Sequence, residues 1–198
     1  MSVPFARTPV LENVHVRLEP LDPSHAADLS AAVAVGELWK TWYTRIPAPD
    51  AMAIEIERRL DEHRAGRLAP WAIVSPATGT AVGMTTYLNL DAANRRLEIG
   101  STWLGRDAQG TGVNPAAKLL LLERAFDELG CRAVEFRTHW HNHQSRAAIA
   151  RLGAKQDGVL RNHVVWADGT LRDTVVFSII DSEWPTVRAA LTARLRTR

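Results

Sequence analysis

Apolar and polar residues alternate from Val14 to Glu19, the two-residue period of a half-buried strand. Asp22-Pro23 then supplies a helix cap followed by proline in the first turn, which predicts a helix to about Val35. Trp39, Trp42 and Tyr43 follow in a loop or short helix, and Asp50 is placed to cap a second helix through His63. Met52, Ile54, Ile56 and Leu60 give that helix apolar positions beside a charged face. The next segments read as strands: Trp71 to Ser75, Thr80 to Leu90 and Arg96 to Leu104. The turns Pro76-Ala77-Thr78-Gly79 and Asp91 to Asn94 separate them, so the middle of the chain reads as an antiparallel meander.

The period changes after Gly110-Thr111-Gly112. Pro115 to Leu129, with its run of leucines from Leu119 to Leu122, predicts a strongly apolar helix stopped by Gly130. Ala133 to Thr138 reads as a strand, and Asn142 caps a helix to about Leu152, stopped by Gly153. Val159 to Trp166 and Thr174 to Ile180 form a hairpin across Ala167-Asp168-Gly169-Thr170, since Asp-Gly between apolar runs favours a tight turn. A last helix starts at Asp181 or Ser182. The order β-α-α-β-β-β-α-β-α-β-β-α is a mixed α/β or α+β layout around one sheet. No repeat or linker divides residues 1–198, which reads as a single domain.

Composition narrows the partners. With 24 Lys and Arg against 22 Asp and Glu, the net charge is only +2, and the charges are interspersed. That pattern argues against a nucleic-acid groove and suits a small polyanionic ligand. Cys131 is the single cysteine, so no disulfide forms within the chain, and a reducing compartment fits. The opening MSVPFARTPVLENVHV lacks a signal-peptide run, and no window approaches 18 apolar residues, so the expectation is a cytoplasmic protein without membrane contact.

The segment Leu97 to Ala125 carries the most chemistry: a strand runs through a glycine turn into a long helix. The first amides of such a helix lack intrahelical partners and the dipole adds positive potential, so the end can bind phosphate. A plain strand–helix connection is the competing reading. The turn has neither the G-x-x-x-x-G-K-[ST] of a P-loop nor a G-x-G-x-x-G followed by an acidic residue, so neither of those phosphate folds is indicated.

Gln109-Gly110-Thr111-Gly112-Val113-Asn114 resembles the Q/R-x-x-G-x-G/A signature of the GNAT N-acetyltransferases. Asn114 departs from the small final residue, and Pro115 removes one N–H from the helix start. Asn142-His143-Gln144-Ser145, with Ile149 and Leu152-Gly153-Ala154, is similar to a second motif of that family. Arg17-Leu18-Glu19-Pro20-Leu21 resembles the start of the RimJ/RimL-like branch. So does the tail with Gly158-Val159-Leu160-Arg161, Asp168-Gly169, Arg172-Asp173, Ser178 and Glu183-Trp184-Pro185. The resemblance spans nearly the whole chain.

The resemblance implies a mostly antiparallel sheet with a central splayed parallel strand pair, flanked by helices. It also implies acetyl-CoA as cosubstrate, no metal, and direct attack by an amine on the thioester. Ser101, Thr102, Trp103 and Leu104 would pair with the pantetheine arm, Gln109, Gly110, Thr111, Gly112, Val113 and Asn114 would hold the pyrophosphate, and Asn142 would hold the arm from the other side. Glu98 is the first candidate for the base and Glu135 the second, each with the alternative of a surface pair with arginine. Ser145 matches a serine near the leaving thiolate, with service to the helix start as its alternative, and the position of the family's tyrosine acid holds Ile149. Trp39, Trp42, Tyr43, Tyr87, Arg161 and His163 are candidates for the acceptor wall, with core packing or a dimer contact as the competing role. His139, His141 and His143 lack the carboxylates or cysteines that would complete a metal site, although one of them could aid proton transfer. A small-molecule or peptide amine is the expected acceptor and a homodimer the expected assembly. A catalytically silent acyl-CoA-binding sensor or a partner-binding module of the same fold is the alternative.

Overall fold

The computed structural model describes residues 4–166 and 168–196. The alternation near the start becomes a hairpin: β1 (Leu11–Asn13) pairs antiparallel with β2 (Val16–Pro20). Asn13 Oδ1 accepts from the His15 and Val16 N–H groups at 3.0 and 3.1 Å, which tightens the turn. The meander follows as β3 (Ala69–Val74), β4 (Ala81–Asp91) and β5 (Arg96–Leu104), then β6 (Ala133–His139), β7 (Lys155–Val165) and β8 (Leu171–Ile180). They form an eight-stranded sheet in the order β1-β2-β3-β4-β5-β6-β8-β7. Neighbours are antiparallel except β5 and β6, which run parallel.

Side chains alternate across this sheet into two cores. In β3, Ala69, Trp71 and Ile73 face one core, and Ala72 and Val74 the other. The first core is covered by α3 (Val113–Glu123), α4 (His143–Ala150) and α5 (Trp184–Arg196), through Leu121, Leu122, Ile149, Trp184 and Leu191. The second is covered by α1 (Ala26–Ala34) and α2 (Met52–Arg64), through Leu29, Val33, Met52 and Ile56. Both faces are occupied, so the central strands carry little polar surface.

Element types follow the sequence reading except that β1 is an additional strand, with the turn falling where the expected strand began, and several boundaries differ. Asp22 caps as expected, accepting from Ser24 N–H at 2.9 Å, but it opens a 3-10 turn, Pro23–His25, before α1. Asp50 is not a cap: it lies inside a 3-10 turn, Pro49–Ala51, whose N-cap is Ala48. The leucine-rich helix ends in a π-helical turn, Arg124–Glu128, closed by Leu129 N–H to the Arg124 carbonyl at 3.0 Å. β7 starts at Lys155, ahead of the expected Val159, because it is an edge strand with mostly exposed positions and its pairing to β8 supplies what its pattern lacks. The hairpin between them falls as expected, except that Ala167 lies outside the described residues.

Candidate functional site

The parallel ladder between β5 and β6 has three rungs: Arg96 with Ala133, Leu97 with Val134, and Glu98 with Glu135. Beyond Glu98 the strands part. β5 bulges there, with Ser101 at φ 47° and the β4 register shifting between Thr86–Gly100 and Met84–Trp103. β6 stays paired to β8 through His139–Thr174. The facing edges of 99–104 and 136–139 therefore have no strand partner among the described residues, and the sheet opens as a split.

Glu98 sits where the split begins and is 7% exposed. Asn89, held at φ 49°, donates its Nδ2 to Glu98 Oε2 at 2.7 Å, and Arg137 Nε lies 3.6 Å away. Burial pushes the Glu98 carboxyl above its ordinary value; the Arg137 charge and the Asn89 hydrogen bond oppose that rise without cancelling it. A Cβ on Gly100 would stand 2.7 Å from Glu98 Oε1, so the carboxylate folds over a position that glycine keeps clear. Glu135 is differently placed. Arg96 binds Oε1, and Arg137 donates from Nη2 to Oε2 at 2.9 Å, which makes Glu135 an ion-paired strand carboxylate.

At the helix end, Gln109 Nε2 donates to the Leu104 carbonyl at 2.9 Å, bracing the turn across its base. Gly110 takes φ 73°. Val113 N–H, expected to face the pyrophosphate, donates to Thr111 Oγ1 at 3.2 Å. The N–H groups of Thr111 and Gly112 donate to no acceptor among the described residues. At α4, Asn142 Oδ1 accepts from Ser145 N–H at 3.0 Å, so the cap uses the serine backbone. The Ser145 hydroxyl is half-buried and makes no hydrogen bond among the described residues.

Sequence reasoning missed Lys118, which is 5% exposed on α3. Its Nζ donates to Thr102 Oγ1 at 2.7 Å and to Thr85 Oγ1 at 3.2 Å, beneath the β5 bulge, and no carboxylate among the described residues pairs with it. Burial lowers its pKa to about 7. A lysine inside an amphipathic helix reads as solvated until packing turns that face inward.

The aromatic wall is assembled from three distant segments. Trp42, 63% exposed, stands 5.2 Å from His139 and 5.5 Å from His141, with Tyr43 at 5.4 Å. Trp166 stacks on His139 at 6.2 Å, and Arg45 lies over Trp166 at 4.5 Å. His139 Nδ1 accepts from the His141 N–H at 3.1 Å, which puts the proton of the neutral ring on Nε2. Burial, with the Arg172 and His141 charges, lowers the His139 pKa and favours that neutral form.

The expected acceptor residues divide accordingly. Trp42 and Tyr43 join the wall, while Trp39 packs against the second core. Tyr87 is a correction: it is fully buried on the α3 face, edge-to-face with Trp71, and its hydroxyl donates to the Leu121 carbonyl. Arg161 pairs with Asp173 at 2.5 Å in a cleft of about 160 Å³ that also borders His139 and His141. His163 meets Thr174 Oγ1 at 3.1 Å on the exposed edge strand. Among the described residues, no group of three or more His, Cys, Asp or Glu is placed to hold a metal, and no helix is long and apolar enough to cross a membrane.

Comparison with known proteins bears on this geometry. A family model described as an acetyltransferase (GNAT) domain matches residues 15–155. YdaF of Bacillus subtilis (strain 168), whose name describes a ribosomal N-acetyltransferase, is 34% identical over 54% of this chain; the match spans 57% of YdaF. A GCN5-related N-acetyltransferase structure from Brucella melitensis superposes with a TM-score of 0.86 at 33% identity, covering 96% of this chain and 86% of its own. An acetyltransferase structure from T. thermophilus gives 0.84 at 33% identity, covering 96% of this chain and 98% of its own.

Proposed function

The chain belongs to the GNAT acetyltransferase family, and from that premise we propose that it moves an acetyl group from acetyl-CoA to a primary amine by direct attack. One observation carries the reading: Glu98, buried and with Arg137 Nε 3.6 Å from its Oε2, stands at the mouth of a split between parallel strands. Acetyl-CoA supplies the activated acyl group. The N–H groups of Thr111 and Gly112, with that of Asn114 in the first turn, lie at the positive end of α3 and hold its diphosphate. The unpaired edge of residues 101–104 aligns its arm, and the Asn142 side-chain amide approaches from α4. Gln109 acts indirectly, by bracing the turn.

Glu98 takes the proton from the attacking amine. Its raised pKa makes it a stronger base than an exposed carboxylate, and Asn89 fixes which oxygen remains available. The nitrogen–carbon bond forms as the carbon–sulfur bond breaks, and the thiolate leaves with its electron pair. With Ile149 on the helix where the family places a tyrosine acid, the Ser145 hydroxyl is the group on α4 that can protonate the sulfur. Glu135, held by two arginines, keeps β6 in place and takes no proton. The similarity to YdaF, whose name describes a ribosomal N-acetyltransferase, favours an amine of a ribosomal component among the acceptors.

A thermal-shift titration with acetyl-CoA tests binding, since a ligand of the native state must raise its stability. Thiol release over an amine panel then tests transfer. Binding followed by amine-dependent thiol release is expected; an unshifted melting temperature at saturating acetyl-CoA overturns the proposal.

A further inference from the structure

The buried and half-buried arginines of the described residues have polar partners, with one exception. Arg59 binds Glu55 and Thr86, Arg124 binds Glu128, Arg137 binds Glu135, and Arg146 and Arg194 bind carbonyls. The Arg172 side chain makes no hydrogen bond or ion pair among the described residues, and its Nε is buried without an acceptor. It lies 5.9 Å from the Trp166 ring, whose own Nε1 is also buried and has no partner among the described residues. Arg45 covers the same ring at 4.5 Å, is exposed, and has no carboxylate partner among the described residues either.

Two guanidiniums against one indole repel each other, and buried donors left unmade cost free energy. Proteins accept such a cluster where an anion completes it, and planar guanidiniums suit carboxylate and phosphate. Arg172 feels the Glu98 charge, and His139 stacks on Trp166 at the end of the split strand, so the cluster adjoins the base. Resting on the acetyl-transfer reading, we propose that the acceptor amine carries an oxyanion, a carboxylate or a phosphate, which docks between Arg45 and Arg172 against Trp166. The anion fixes the amine in front of Glu98, and the site discriminates against neutral amines.

The test uses matched amines: β-alanine against β-alaninamide, and phosphoethanolamine against ethanolamine, with kcat/KM read by thiol release from saturating acetyl-CoA. The anionic member of at least one pair is expected to be favoured about tenfold or more, and that pair identifies the oxyanion. Arg172→Gln and Arg45→Gln are each expected to collapse the ratio, through KM for the acceptor, without changing the acetyl-CoA titration. Equal rates within both pairs, or a preference that survives both substitutions, overturns the inference while leaving acetyl transfer standing. If none of these amines turns over, melting shifts of the acetyl-CoA-loaded protein decide. A shift specific to the anionic members and lost in Arg172→Gln supports the anion site, and matched shifts within each pair overturn it. Failure of acetyl-CoA itself to bind is a separate result that removes the underlying reading.

Discussion

Glu98 and Glu135 are partners on the last rung of the parallel ladder, yet Arg137 lies 2.9 Å from Glu135 and 3.6 Å from Glu98. Arg96 also binds Glu135, so one carboxylate of the rung is neutralised and the other remains chemically available. This asymmetry favours Glu98 over Glu135 as the proposed base, a choice the sequence left open.

Glu98→Gln is expected to lower kcat by roughly a hundredfold or more, the usual span of general-base catalysis, with acetyl-CoA affinity retained. Glu135→Gln is expected to leave kcat within severalfold and to cost about 1 kcal/mol or less, since its ion pairs are partly exposed. Steady-state kinetics beside urea denaturation of both variants checks the pair; equal losses of kcat would contradict the assignment.

The pH profile follows from the same rung. In the proposed mechanism transfer requires the Glu98 carboxylate, whose pKa is raised by burial, so the acid limb of kcat/KM is expected above the ordinary glutamate range. Arg137 lowers that pKa, and its loss in Arg137→Gln therefore moves the limb to higher pH. Glu135 raises it, so Glu135→Gln moves the limb to lower pH. Opposite displacements in the two variants are the expected signature, read from pH–rate profiles.

Lys118 gives a stability prediction. Its pKa falls from an ordinary 10.5 to about 7 on folding, so between those values the unfolded chain binds one more proton. Stability from this group accordingly rises with pH through that window, by on the order of a few kcal/mol. Lys118→Met removes the rise and is more stable than the parent near pH 6, with the smallest advantage near pH 10. Urea midpoints of the two proteins at several pH values test it, and parallel curves would refute the buried-amine account.

Gly110 has open space where a Cβ would stand, so its requirement is the backbone angle alone. Gly110→Val forces a β-branched residue to φ 73° and is expected to weaken acetyl-CoA binding about tenfold, whereas Gly110→Asn stays near the parent. Isothermal titration of both variants makes the comparison, and an unaffected valine variant would place the diphosphate elsewhere.

Much of the architecture was legible because it rests on local chemistry. Asp22-Pro23, Gly130, Gly153 and Asp168-Gly169 punctuate the chain, and Arg96 to Leu104 emerges as β5 with the expected limits. Edge strand β7 was read short because its exposed start carries little apolar pattern. Tyr87 was misplaced because alternation tells that a strand has two faces but not which face meets α3.

By itself the sequence determined the order of elements after β1, the glycine turn ahead of α3 and the resemblance that named the chemistry, since each depends on residues near one another in the chain. Tertiary structure decided what depends on distance in space. It set Glu135 between Arg96 and Arg137 with Glu98 farther from Arg137, buried Lys118 under Thr85 and Thr102, and gathered Arg45 and Arg172 around the Trp166 indole. The physical reason is that charge and desolvation act through a few ångströms of space, and residues 45, 98, 137 and 172 become neighbours only when the sheet forms.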